Sequence, residues 1–313
     1  MSVTQRDLFL TDLLAIAKKD PDVILISPDM GAPALDNWRS ELPNQFFATG
    51  ISEQNSINFA AGLSSRGKKV YVYYMACWSA RCFEQIRYSC GMANNPITII
   101  GVGVGLGYAP AGAGHNPTDD MAYMRSICGI EIYSPATNAA VKELVNYTYE
   151  NRKLIYLRLE RTYDAALDEL YSNFTLKQAQ GVHLVKGDTK LSNIAIVSSG
   201  YLLGRGLKIA KEFNCHLYDM YQLKPTPMVS LMKCLAGLDI VVTLEEQTLN
   251  CGGFSSVIAD AILDSRRTYD LMRFGLEEGY ILKNGTRDEL LDSYGLSTDH
   301  IIKEVTLRLN QTY

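Results

Sequence analysis

The chain has 313 residues, 47% of them hydrophobic and 20% charged, with a formal net charge of −4. That length is too great for one small core and comfortable for two domains. Acids and bases are interspersed, which gives no electrostatic ground for nucleic acid or an anionic membrane as partner, and no apolar run reaches the roughly 18–20 residues of a membrane span.

In chain order, a helix is expected over residues 4–18, with Leu8, Leu10, Leu13, Leu14 and Ile16 as its apolar face. DVILIS (22–27) follows as a strand without alternation, the pattern of a parallel strand buried on both faces. FFATG (46–50), a helix at 53–65, KKVYVYYM (68–75), a helix at 79–93 and PITIIGVGVG (96–105) continue the alternation. A helix at 117–127, EIYSPA (131–136), a helix at 137–150 and KLIYLRLE (153–160) complete a first unit, domain 1–165. Residues 166–190 read as a polar linker. The second unit, 191–313, holds NIAIVSSG (193–200), HLYDMY (216–221) and DIVVTLEE (239–246), with helices at 203–213, 227–236, 254–265 and 297–310. Such alternation predicts an α/β protein of two doubly wound domains.

The seven cysteines show neither CxxC nor a Cys/His ligand spacing, and MSVTQRDLF lacks a signal-peptide pattern. A cytoplasmic chain without structural zinc is the expectation. GVGVGLG (101–107) has no GxGxxG frame and no acidic residue after a following strand, so its glycines read as close backbone approach rather than dinucleotide binding. In AGAGHNPTDD, His115 stands at the carboxyl end of a parallel strand, where it either caps a turn or faces a ligand. In GISEQN, Ser52 reads as an N-cap and Glu53 as a complement to the helix dipole. Taken singly, these motifs leave function open.

Their order does not. GISEQNSINFAAGLSSRG, YMACWSARCFEQIR, AGAGHNPTDDMAYMRSICGIEIYSPA and YLRLER follow one another as in the pyrimidine-binding domain of transketolase-like thiamine diphosphate enzymes. IAIVSSG and VVTLEEQTLNCGGF resemble their C-terminal domain, so the resemblance spans about residues 5–310. It implies that Glu53 hydrogen-bonds N1′ of the cofactor's aminopyrimidine and promotes the tautomer that activates it. That role needs a fixed, desolvated carboxyl able to keep a proton to donate. It further implies that Trp78 stacks on the aminopyrimidine, that Met75 and Arg81 line the same pocket, and that Asp29 lies near the thiazolium. His115 would face the substrate carbonyl, and Arg161, or Arg158 before it, would hold a substrate phosphate.

Two positions depart from the pattern. Ala111 stands where the family has a substrate-binding aspartate, and Val104 where deoxyxylulose phosphate synthases have a phosphate-binding arginine. An unusual acceptor, or one lacking the usual hydroxyl or phosphate, is therefore expected. The GDG…Asn motif that holds Mg²⁺ on the diphosphate is missing too: KGDTK (186–190) lacks the second glycine. The resemblance thus implies half an active site, no metal ligand in this chain, and a separately encoded N-terminal (α) subunit carrying GDG…Asn, in an α2β2 assembly. The implied reaction moves a two-carbon ketol or acyl unit from a ketose or 2-oxo acid donor to a carbonyl acceptor. The β subunit of a 2-oxo acid decarboxylase or dehydrogenase, a deoxyxylulose-phosphate-synthase-like enzyme and a non-catalytic regulatory subunit stand as alternatives.

Overall fold

The structure is a computed structural model describing residues 3–162, 164–187 and 192–311; residues 188–190 of KGDTK lie outside it. The first half runs α1 (Gln5–Ala17), β1 (Val23–Ser27), α2 (Pro33–Glu41), β2 (Phe46–Ala48), α3 (Glu53–Ser65), β3 (Lys69–Met75), α4 (Phe83–Gln85), β4 (Ile97–Val102), α5 (Asp120–Arg125), β5 (Glu131–Tyr133), α6 (Asn138–Glu150) and β6 (Ile155–Leu159). The second half continues α7 (Ala165–Glu169), α8 (Leu176–Ala179), β7 (His183–Lys186), β8 (Ile194–Ser198), α9 (Leu203–Glu212), β9 (His216–Asp219), β10 (Gln222–Lys224), α10 (Met228–Cys234), β11 (Ile240–Thr248), α11 (Phe254–Ser265), β12 (Asp270–Leu276), α12 (Arg287–Ser293) and α13 (Thr298–Gln311).

The first sheet has the order β10-β5-β6-β4-β3-β1-β2, parallel except for β10. The second has the order β12-β11-β8-β9-β7, parallel except for β7. Along β3, Val70, Val72 and Tyr74 pack into one apolar layer, and Tyr71 and Tyr73 into the other. Both faces are covered, which is why the parallel strands read as continuous apolar runs. From β1 the chain steps out to β2 and then crosses back to β3, so the order reverses beside β1. Crevices at the carboxyl ends of strands form at such a reversal.

Several boundaries differ from expectation. The helix expected over 79–93 is a 3₁₀ turn (Ala76–Ser79), the single turn α4, and a π-helix (Ile86–Met92). Ser52 does not cap α3; its hydroxyl turns back to donate to the Thr49 carbonyl. Residues 166–190, read as linker, contain most of α7, all of α8, and β7, which pairs antiparallel with β9. Pieces this short carry too little periodicity to stand out. β10 also crosses over: it belongs to the second half by sequence and extends the first sheet. Lys224 supports that crossing, donating to the carbonyls of Arg125 and Ile127 at 2.6 and 2.5 Å. Among the described residues no helix is long and apolar enough to cross a membrane.

Candidate active site

Several of the residues singled out from the sequence lie at the carboxyl ends of the first sheet. Glu53 opens α3 after β2, Met75 ends β3, and Trp78 lies in the turn that follows. His115 lies in the loop after β4, and Arg161 comes two residues after β6. The fold collects them because every parallel strand ends on the same side.

Glu53 is 5% exposed, and Arg81 Nη1 donates to its Oε2 at 3.0 Å. The Arg81 side chain is itself half exposed. Arg81 can turn back to water at low cost, but the buried Glu53 carboxyl then needs another donor in its place. The Arg81 guanidinium lies 5.3 Å from the centre of the Trp78 ring, and the Trp78 ring packs edge-on to His115 at 5.7 Å. Tyr108 closes the other side of His115 at 6.5 Å, and the Arg161 guanidinium sits over Tyr108 at 4.2 Å. Arg161 is exposed, and among the described residues no carboxylate pairs with it. Burial pushes the thiol of Cys77, beside Trp78, up to about 12, so it stays protonated and supplies no nucleophile.

Asp29 follows β1 at the same rim and is exposed; among the described residues no hydrogen bond or ion pair ties it to the cluster. Arg158 is not at the rim at all. Its guanidinium is buried and bidentate on Asp120, Nε to Oδ2 at 2.8 Å and Nη2 to Oδ1 at 3.1 Å, with Nη1 on Ser134 Oγ at 3.2 Å. Strand alternation explains the difference: Arg158 points into the sheet's packing layer, whereas Arg161 lies beyond the strand end. The reading of Arg158 as an alternative substrate contact is corrected accordingly. Asp120, which also accepts from the Tyr156 hydroxyl at 2.9 Å, serves that buried pair.

Tyr108 carries no motif in the sequence. Gly103, at φ +74°, makes room for it: a Cβ there would lie 2.0 Å from a Tyr108 ring carbon. The glycines of GVGVGLG thus serve close approach, to this ring and, at Gly105, to Glu246. Only that spacing hints at a ring to be accommodated; nothing in the sequence pairs it with Arg161.

A buried carboxyl next to an aromatic plate suits a planar heterocycle with nitrogen donors and acceptors. Next to His115 in sequence, both side-chain polar atoms of Asn116 are buried without a protein partner among the described residues, which leaves hydrogen-bonding capacity unused there. The residues present therefore fit the aminopyrimidine end of thiamine diphosphate. For the metal end they offer nothing: among the described residues no three His, Cys, Asp or Glu side chains are grouped to hold an ion.

Comparison with known proteins places the chain in a family. Residues 1–163 match the family model "Transketolase, pyrimidine binding domain". The chain is 28% identical over 308 residues to one of the subunits of the apulose-4-phosphate transketolase of Phocaeicola vulgatus, covering 95% of each chain. It is 26% identical to the 1-deoxy-D-xylulose-5-phosphate synthase of Pseudoalteromonas translucida, of which it spans 47%. Among solved structures it superposes on a split-gene transketolase described as an inactive β4 tetramer, with TM-score 0.84, 24% identity and 99% of both chains covered. On the transketolase of Pichia stipitis in complex with sedoheptulose-7-phosphate the TM-score is 0.78, at 16% identity, with 97% of this chain and 45% of that one covered. With the family model matched over more than half its length, the chain belongs to the transketolase family and carries that family's pyrimidine-binding domain.

Proposed function

We propose that the chain is the C-terminal (β) subunit of a two-component, thiamine diphosphate-dependent transketolase-like enzyme. It transfers a two-carbon ketol or acyl unit to a carbonyl acceptor. The observation that carries this reading is the run of contacts from Glu53 through Arg81, Trp78, His115 and Tyr108 to Arg161. Similarity over nearly its whole length to a single subunit of the apulose-4-phosphate transketolase supports it.

In this reading the cofactor supplies the carbanion chemistry, and the protein orients it. Glu53 is held at the base of the crevice by its place at the start of α3, and it carries or accepts a proton at a carboxyl oxygen. Arg81 would give up its bond to Glu53 to a bound ring, and Trp78 would supply the aromatic face that holds it. By the resemblance, Met75 would line the same pocket and Asp29 would lie near the thiazolium. His115, oriented by Trp78 and Tyr108, donates to the oxygen of the reacting carbonyl. Arg161, with no carboxylate partner among the described residues, takes the anionic end of the substrate. Mg²⁺ and the diphosphate are held mainly by a separately encoded α subunit bearing GDG…Asn, in a cytoplasmic α2β2 assembly.

Ala111 favours a second reading. It is exposed in the turn Ala109–Ala111, and its methyl cannot replace the carboxylate that binds a ketose hydroxyl in relatives. A decarboxylating donor needs no such contact, so a deoxyxylulose-phosphate-synthase-like or 2-oxo acid decarboxylase activity is the runner-up. The test is to recover the chain with its native partner and assay it with ketose and 2-oxo acid donors. Glu53→Gln is expected to lower turnover by about 10²–10⁴-fold, the usual worth of positioned acid–base catalysis. Near wild-type turnover in that variant would refute the role given to Glu53 and favour a non-catalytic subunit.

A further inference from the structure

Besides β10, the second half of the chain reaches into the first through a buried arginine. Arg287, at the start of α12, donates from Nη1 to Glu160 Oε2 at 2.7 Å and from Nη2 to Oε1 at 3.1 Å. It also donates from Nε to Glu246 Oε1 at 2.7 Å and from Nη2 to Glu246 Oε2. Its guanidinium lies 3.8 Å over the Tyr201 ring, and Nη2 reaches the Val104 carbonyl at 3.4 Å. Arg287, Glu160 and Glu246 are each 9% exposed or less. Such a triad is seldom retained for stability alone, because apolar residues of similar volume do as well; its better-attested use is to fix register.

The register it fixes is that of the substrate end. Glu160 directly precedes Arg161, and Val104 directly follows Gly103, against which Tyr108 packs. Glu246 also meets the loop itself, since a Cβ on Gly105 would lie 2.7 Å from Glu246 Cβ. One guanidinium thus ties both segments that bring Arg161 and Tyr108 together, and it does so from the other half of the chain.

We infer that Arg287 is a positioning residue through which the second domain sets the Arg161–Tyr108 contact, and with it affinity for the anionic end of the substrate. The inference rests on the reading of Arg161 as the anion contact. Without Arg287, Glu160 and Glu246 would be two buried carboxylates facing one another uncompensated. They would draw in water or separate, moving both segments. A misplacement of about 1 Å at such a contact costs up to about 10²-fold.

The test uses inorganic phosphate as probe, titrated calorimetrically into the complex recovered by tagging the full-length chain in its native cell. The variants are Arg287→Lys, which keeps the buried charge but not the planar fork, Glu246→Gln, which keeps the side-chain shape, and Arg161→Met. Phosphate affinity is expected to fall about tenfold in the Arg287 and Glu246 variants. In turnover assays KM for a phosphorylated acceptor should rise to match, with kcat at saturation retained; a purely structural defect would instead lower kcat with the folded fraction. If Arg161→Met weakens phosphate binding while folded Arg287→Lys and Glu246→Gln bind within twofold of wild type, the inference fails and the reading of Arg161 stands. If wild type binds no phosphate, or Arg161→Met binds it equally well, the reading of Arg161 fails and the inference with it.

Discussion

Arg158 and Arg161 are three residues apart, and the structure gives them opposite surroundings, one buried on Asp120 and the other exposed over Tyr108. Arg158→Met would leave Asp120, 0% exposed, with only the Tyr156 hydroxyl as a donor in place of two charge-assisted bonds. Breaking a buried pair from one side costs about 3–5 kcal/mol, because the remaining charge stays uncompensated. Changing both partners, as Asp120→Asn with Arg158→Met, should recover much of that loss, a coupling that a double-mutant cycle reads directly. Arg161→Met removes an exposed guanidinium stacked on Tyr108 and should cost no more than about 1 kcal/mol of stability. The assay is urea unfolding of five proteins (wild type, Arg158→Met, Asp120→Asn, the double variant and Arg161→Met), followed by tryptophan fluorescence and hydrogen exchange in the first sheet, together with KM for a phosphorylated acceptor in the assembled enzyme. The expected outcome is a large stability loss without a KM effect for Arg158→Met corrected for folded fraction, and the reverse for Arg161→Met. Were Arg158→Met to unfold within about 1 kcal/mol of wild type and raise KM instead, the burial argument would be wrong.

Two further predictions concern acidity and packing. Burial pushes the carboxyl of Asp219 from 3.8 up to about 7, against the lowering effect of the Tyr171 hydroxyl, which donates to Oδ2 at 2.7 Å. The folded state then holds the proton more tightly than the unfolded one, so stability falls as pH rises from about 4 to 7 and no further above that. That gap corresponds to about 4 kcal/mol. Asp219→Asn should therefore gain on wild type by a few kcal/mol between pH 4 and pH 8 in denaturant titrations; a constant difference across that range would count against the buried-acid reading. Burial raises Glu245, which accepts from the Ser255 hydroxyl and backbone N–H at the start of α11, to about 7, so some pH dependence of the same sign should persist in the variant. Gly103→Ala should force Tyr108 out of its seat, destabilising by about 1–3 kcal/mol. Combined with Tyr108→Ala the same change should add only the backbone cost of an alanine at φ +74°, and full additivity would show that the two do not meet.

Much of this protein is written locally. Residues 53–65 read as a helix and form one, because Glu53, Ser56, Ile57, Ala60, Ala61 and Ser64 recur at helical spacing on one buried face and a glycine at 67 lies just past the end. The uninterrupted apolar runs of β1, β3, β4 and β8 declare parallel strands buried on both faces. The glycines around 103 signal close approach, and the ordered motifs point to Glu53, Trp78, His115 and Arg161. Other elements lack a local signal: β10 is three residues long, and β7 is too short for alternation to register. α2 is different, since Pro33 at its start and the buried Ala34, Leu35 and Trp38 form a usable signal that the strand-to-strand reading passes over.

What only the tertiary structure decided are the pairings between distant segments. Asp120 and Arg158 find each other across 38 residues, and Glu160 and Arg287 across 127. In the sequence each of these is an ordinary charge on a strand or helix. Whether an arginine meets a substrate or a carboxylate depends on which side of a strand end it leaves, and on what another part of the chain has placed there. Local propensity does not carry that information; the crossing of strands and the burial of charge do.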